Sequence, residues 1–233
     1  FKLASLECKG KESKSCLTPP ELRTVETYYE GVENSQGETI FPGEALGVPL
    51  RPEPSREAAP SGFIFDTVRI LGFQNADYDW HRFNLDRDMP RIDAATGFVD
   101  AVDPDLSSFK ANGGKLLLYV GWSDPAITPK NTIGYYESVL GAMGSEQSDW
   151  MRLFTVPGMG HCGGGDGPSS FDTIGVMEQW REQGVAPKEI AAKNPRTGLS
   201  RPLCPYPQTS KYDGSGDVED ATNWSCTALN AGS

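Results

Sequence analysis

Apolar residues along this chain take helical spacing near the start, lose any period over the next seventy residues, and return after residue 103 as short runs alternating with helical stripes. Leu22, Val25, Tyr29 and Val32 stand at i, i+3, i+7 and i+10, one face of a helix. Thr18 suits the N-cap, Pro19 the first helical position, and Glu21 completes a capping box, so a helix is predicted over 17–32. Residues 33–62 are rich in Gly, Pro, Ser and Glu without a sustained period, which predicts loop. The stretch from Phe63-Ile-Phe65 to Phe73 is mixed and has room for a short helix. Tyr78-Asp-Trp80-His-Arg-Phe83 is a dense aromatic patch, and 93–105 reads as a connection.

Leu106 to Asn112 predicts a short helix stopped by Gly113-Gly114. The unbroken apolar run Leu116–Val120 has the length of a buried strand. Thr128-Pro129 repeats the helix-start signal. Ile133, Tyr136, Val139, Leu140 and Met143 then line one face until Gly144 ends it. Trp150–Val156 reads as a second strand, and 157–167 as a long glycine-rich loop. Phe171 to Glu182 is a helix with Ile174, Met177 and Trp180 facing inward, closed by Gly184. Residues 194–233 are Pro- and Gly-rich. Strand, helix, strand and helix in this spacing predict an α/β unit with parallel strands.

Composition narrows the class. At 233 residues, 37% hydrophobic and 10% aromatic, the chain is long enough to bury about 70% of its surface in one sizeable domain. Disorder is excluded. A formal charge of −11 makes nucleic acid and anionic membranes poor partners. No run approaches the ~20 apolar residues of a membrane span. Gly (26) and Pro (18) make up about a fifth of the chain, well above the usual ~12%, so much of it is loop.

The five cysteines form two local couples and a remainder. Pairing Cys8 with Cys16 and Cys204 with Cys226 is the simplest framework and suits an oxidising compartment, secreted or periplasmic. Chain entropy assigns such loops about 2.5 to 3.5 kcal/mol each. Five reduced thiols in a cytosolic protein are the plain alternative. Cys162 is left over, which points to a partner outside the chain or a reactive thiol.

Candidate chemistry gathers after the two predicted strands. Asp124 in Gly121-Trp-Ser-Asp-Pro125 follows the first, where parallel sheets place ligand chemistry. It suits the acid that orients a histidine, or else an ordinary Asx turn before proline. His161, one of two histidines, lies on the loop after the second strand and suits a general base. Gly158-Met-Gly-His-Cys-Gly163 matches a dinucleotide fingerprint in letters, but no helix opens at its third glycine. Ser123 nearly matches a nucleophile elbow, with Pro125 where the second glycine belongs. His161 and Cys162 are sequence neighbours, and neighbours seldom point their side chains at one another, so they make a poor Cys–His pair. His81 lies in the aromatic patch, which packs a core or lines a pocket for an aromatic ligand.

Gly121-Trp-Ser-Asp124-Pro, followed by Val156-Pro-Gly-Met-Gly-His161-Cys162-Gly-Gly-Gly, resembles the tannase/feruloyl esterase family, which also includes mono(2-hydroxyethyl) terephthalate hydrolase. Leu6-Glu-Cys8…Cys16-Leu-Thr-Pro-Pro resembles part of that family's lid, and Cys204 with Cys226 its terminal disulfide. The resemblance implies an α/β fold: the carboxyl-terminal part of an α/β-hydrolase plus part of a large inserted lid. Residues 1–102 would be the later lid and 103–233 the end of the catalytic domain. Asp124 and His161 map to the triad's acid and base, and Ile127 beside them is a candidate substrate contact. The nucleophilic Ser would lie on an amino-terminal half outside this chain, joined to Cys162 by a disulfide. A structural calcium is expected in the missing part of the lid, and no metal or other cofactor in this chain. The implied activity is hydrolysis of small aromatic-acid esters, feruloyl or galloyl. The competing reading is a non-catalytic secreted domain binding a phenolic compound or carbohydrate, and a third is a self-sufficient hydrolase using Ser123.

Overall fold

A computed structural model of the chain describes residues 2–48, 50 and 62–228. The predicted loop at 49 and 51–61 and the tail at 229–233 lie outside the described residues. Two compact units form. One takes in residues 2–30, 42–48 and 103–228, the other 31–41, 50 and 62–102. The boundary at 102 therefore separates two units locally, while the first thirty residues pack with the last part of the chain.

In the first unit, α1 (Pro19–Glu30) begins at the capping box: Thr18 N–H and its hydroxyl both donate to Glu21 Oε2 at 2.8 Å. Leu22 and Val25 are buried. The helix stops short of the expected end because Gly31 takes φ +114°, which glycine tolerates and β-branched residues do not. Val32 thus leaves the helical face for a strand.

The second unit carries β1 (Gly31–Glu33) and all but the last residue of β2 (Thr39–Pro42), a two-stranded sheet in a region predicted as loop. Asn34 Oδ1 builds its turn by accepting the N–H groups of Gln36 and Glu38. Further on, α2 (Phe63–Asp66) runs into a wide π-type turn, Thr67–Gly72. An unpredicted helix, α3 (Leu85–Thr96), is capped by Asn84, whose Oδ1 accepts Arg87 N–H at 3.0 Å. Its apolar stripe is thin and Pro90 lies inside it, both of which argue against a helix in sequence. The connection predicted from 93 therefore begins only after the helix.

The first unit resumes with α4 (Ser107–Ala111) and then β3 (Leu116–Gly121), α5 (Pro129–Met143) and β4 (Met151–Val156). β3 and β4 are parallel, with Leu116 opposite Met151 and Gly121 opposite Val156. The period of two sorts their side chains into two cores. Leu116, Leu118 and Val120 join Met151 and Leu153 on the face covered by Tyr136 and Val139 of α5. Leu117, Phe154 and Val156 face the other way, toward Val176, Ile190 and Leu203. Thr128 caps α5 only by position, because its hydroxyl donates to Gly43 O at 3.0 Å.

The predicted 157–167 loop folds into a tight hairpin, β5 (Met159–Gly160) with β6 (Gly163–Gly165). After β7 (Ser170–Phe171) comes α6 (Thr173–Gln183), with Trp180 fully buried and Gly184 at φ +71° ending it. Ile174 is 69% exposed instead of inward. At ~100° per residue it stands about 120° around the axis from Trp180, so the buried stripe follows Val176 and Trp180. The Pro- and Gly-rich tail holds more strands than its composition signals. β8 (Ile190–Lys193) pairs antiparallel with β7 and β9 (Ser200–Leu203), and β10 (Gln208–Tyr212) with β11 (Trp224–Ala228). Disulfides join Cys8 to Cys16 and Cys204 to Cys226, with Cα atoms 4.9 and 5.5 Å apart. No helix among the described residues is long and apolar enough to cross a membrane.

Candidate active site

β3 and β4 end side by side, and the loops leaving them are stitched together. Trp122 N–H donates to Val156 O at 2.9 Å and Ser123 N–H to Met159 O at 3.0 Å. A Cβ on Gly121 would collide with the carbonyl oxygens of Met159 and Gly160, so only glycine permits this approach.

Asp124 is 3% exposed and uses both oxygens. Oδ1 accepts the N–H groups of Ala126 and Ile127 at 2.8 and 3.0 Å, and Oδ2 lies 2.9 Å from His161 Nδ1. One oxygen thus makes the turn and the other meets the histidine. Burial alone would push this carboxyl upward. Hydrogen bonds from Ile127, His161 and Ala126 outweigh it and hold the group below its ordinary value. An ionised Asp124 accepts from Nδ1–H, which leaves the Nε2 lone pair of a neutral imidazole free to take a proton.

His161 sits at the tip of the β5–β6 hairpin, its side chain 54% exposed. Cys162 follows at φ +57°, a left-handed conformation unusual for a residue with a side chain, and is exposed and unpaired among the described residues. Beyond it, two side chains that sequence reading passes over hold the hairpin's end. Asn194 Nδ2 donates to Gly165 O at 3.2 Å and Gly167 O at 2.9 Å, and Arg196 Nη2 to Gly165 O at 2.6 Å. In sequence, Lys193-Asn-Pro-Arg196 signals nothing beyond a turn.

The other candidates fall elsewhere. Ile127 is 46% exposed on the Asp124 loop, to which its N–H is tied. Ser123 makes no side-chain hydrogen bond to His161 among the described residues. Gly158–Gly163 leads into a hairpin and not a helix. His81 belongs to the second unit, on the turn Trp80–Arg82, with its ring 3.8 Å from that of Trp80. There Phe73 and Tyr78 stack at 4.0 Å beside a cavity of about 430 Å³. No group of three or more His, Cys, Asp or Glu side chains among the described residues could hold a metal ion.

The family model described as "Tannase and feruloyl esterase" matches residues 1–227. An uncharacterized esterase of Xanthomonas campestris is 34% identical over 95% of this chain and 48% of its own length. The mono(2-hydroxyethyl) terephthalate hydrolase of Piscinibacter sakaiensis is 30% identical over 96% of this chain and 44% of its own. The crystal structure of feruloyl esterase B from Aspergillus oryzae superposes with a TM-score of 0.83 at 26% identity, covering 97% of this chain and 50% of that one. The chain spans about half the length of the curated relatives it matches.

Proposed function

The chain belongs to the tannase and feruloyl esterase family, and from that membership we propose that it is the carboxyl-terminal half of a serine carboxylesterase acting on aromatic-acid esters of feruloyl or galloyl type. The observation that carries this reading is the Asp124–His161 pair, joined at 2.9 Å on the loops that leave adjacent parallel strands. In the proposed mechanism a Ser hydroxyl on the amino-terminal half attacks the ester carbonyl carbon. His161 Nε2 takes the hydroxyl proton and delivers it to the departing alcohol oxygen. A water then repeats the cycle on the acyl-enzyme, releasing the acid and the free Ser. Asp124 keeps the imidazole in the tautomer this needs and stabilises it when protonated.

In the same reading, residues 1–102 supply the later part of the lid and 103–233 the end of the catalytic domain. Ile127 lines the substrate pocket, and the structural calcium belongs to the part of the lid outside this chain. Cys162 pairs with a cysteine beside the nucleophile, which ties base and nucleophile together. Two disulfides and fungal feruloyl esterase relatives support a secreted or periplasmic enzyme.

The test is kinetic. With the amino-terminal half supplied, the enzyme should turn over an aromatic ester, and His161→Ala should lower kcat by several orders of magnitude. Near-normal turnover in that variant overturns the assignment. Tight binding of a phenolic ligand without turnover in the unmutated enzyme would instead favour a binding domain.

A further inference from the structure

We propose that Asn194 is a positioning residue: its carboxamide clamps the glycine hairpin so that His161 stays on Asp124. The consequence for turnover rests on the esterase reading. The consequence for the Asp124–His161 bond rests on geometry alone.

Asn194 follows β8 and is 1% exposed. Its amide uses all four of its hydrogen-bonding positions. Both Nδ2 protons go to the hairpin's far end, at Gly165 O and Gly167 O. Oδ1 accepts the N–H groups of Arg196 at 2.9 Å and Thr197 at 3.3 Å, in the turn between β8 and β9. One buried side chain thus joins a turn on the core's edge to the strand that returns from His161.

Beyond the β5–β6 pairing and the Gly167 N–H bond to Gly158 O at 3.2 Å, the hairpin has little to stiffen it on that side. Six of the ten residues from 158 to 167 are glycine, which costs the most backbone entropy to order and offers no side chain to pack. Met159 anchors the outgoing strand, 2% exposed and hydrogen-bonded to Ser123 N–H. On the returning strand, Asn194 and Arg196 are the side chains among the described residues that donate to the carbonyls of 163–167. Removing the Asn194 donor leaves the carbonyl of buried Gly167 short of a side-chain partner it cannot replace from water at low cost. The relief available is a shift of the returning strand, and His161 lies two residues before that strand begins.

The test is Asn194→Asp in the complete enzyme. The new carboxylate still accepts from Arg196 and Thr197 but turns an oxygen toward the two carbonyls. The expected result is a kcat lower by ~10- to 100-fold, as for a misplacement of about an ångström, with KM within about twofold. Proton NMR should show the downfield His161 Nδ1–H signal broadened or lost. A purely structural role would lower the melting temperature and leave both readouts alone, and wild-type kcat with an intact signal overturns the proposal. If that variant does not fold by circular dichroism, Asn194→Ser decides, because its shorter hydroxyl cannot reach both Gly165 O and Gly167 O. A lower kcat and a broadened signal support the clamp, and no change in either overturns it. Should the wild type hydrolyse no ester while Asn194→Asp still loses the signal, the esterase reading fails and the clamp stands.

Discussion

Asp124 shows how much one carboxylate carries when each oxygen has its own partner. Oδ1 fixes the loop through Ala126 and Ile127, and Oδ2 fixes His161. Asp124→Asn separates these jobs. The amide oxygen can keep the turn, but an NH₂ then faces Nδ1 and drives the imidazole's proton to Nε2, where the base must be bare. In the complete enzyme we expect kcat to fall by roughly 10⁴-fold with the circular dichroism spectrum unchanged. An intact rate would mean that His161 is oriented by something else. The same carboxyl sets an acid limb of stability. Its value lies below the ordinary one, so its ionised form stabilises the fold above about pH 4. That contribution disappears as pH falls through the lowered value. Melting temperatures measured against pH should therefore converge for wild type and Asp124→Asn at the acid end. Parallel curves would remove the hydrogen-bonded carboxylate from the account.

At the scale of elements, legibility follows the strength of local signals. α1, α5 and the β3–β4 pair were readable because capping residues, stop glycines and apolar runs agree in each. The proximity of Asp124 and His161 followed from that, since loops leaving adjacent parallel strands must meet. The β5–β6 hairpin was not readable, because a strand made of Gly163, Gly164 and Gly165 has no pattern and is defined only by what clamps it. Asn194 was invisible for the same reason: its importance lies in partners about thirty residues away. α3 gives no such signal, because an ion pair between buried Asp88 and exposed Arg87 supports it where an apolar stripe would be expected. Asp88, 4% exposed, receives a two-pronged bond from Arg87 Nε and Nη2 and a third from Asn84 N–H. The Arg87 fork draws its pKa down to about 2. A depressed carboxyl stabilises above its unfolded value of about 3.9, and that stabilisation is lost as pH falls toward 2. Urea midpoints of the wild type should drop across that window. Those of Asp88→Asn should start lower and stay flatter, and an equal slope in both would contradict the role given to this pair.

For the whole molecule, the free edge of β3 matters most. Among the described residues β3 hydrogen-bonds to a strand on one side only. Parallel sheets are usually buried on both faces and carry apolar strands for that reason. Yet Tyr119 in β3 and Trp122 just past it are 45% and 39% exposed, and Ile174 and Phe109 add further apolar surface to this unit. That edge, the unpaired Cys162 and the chain's span of about half of each relative's length are what the proposed amino-terminal half would answer by docking on this unit. The disulfide at Cys162 would then do mechanical work. It would hold the tip of the histidine hairpin against the nucleophile while Asn194 holds its base, two restraints on a hairpin too rich in glycine to hold itself. Cys162→Ser in the complete enzyme should accordingly lower melting temperature and kcat together. A variant unchanged in both would remove the tether. Intact mass of source-purified protein, before and after reduction, reads the same bond directly. A larger species that releases this chain on reduction places the link at Cys162, the cysteine unpaired among the described residues. A larger mass indifferent to reduction means one continuous polypeptide, in which the bond would position the hairpin without holding the halves together. A mass equal to this chain alone would leave His161 without a nucleophile to serve, and the esterase proposal would fall with it.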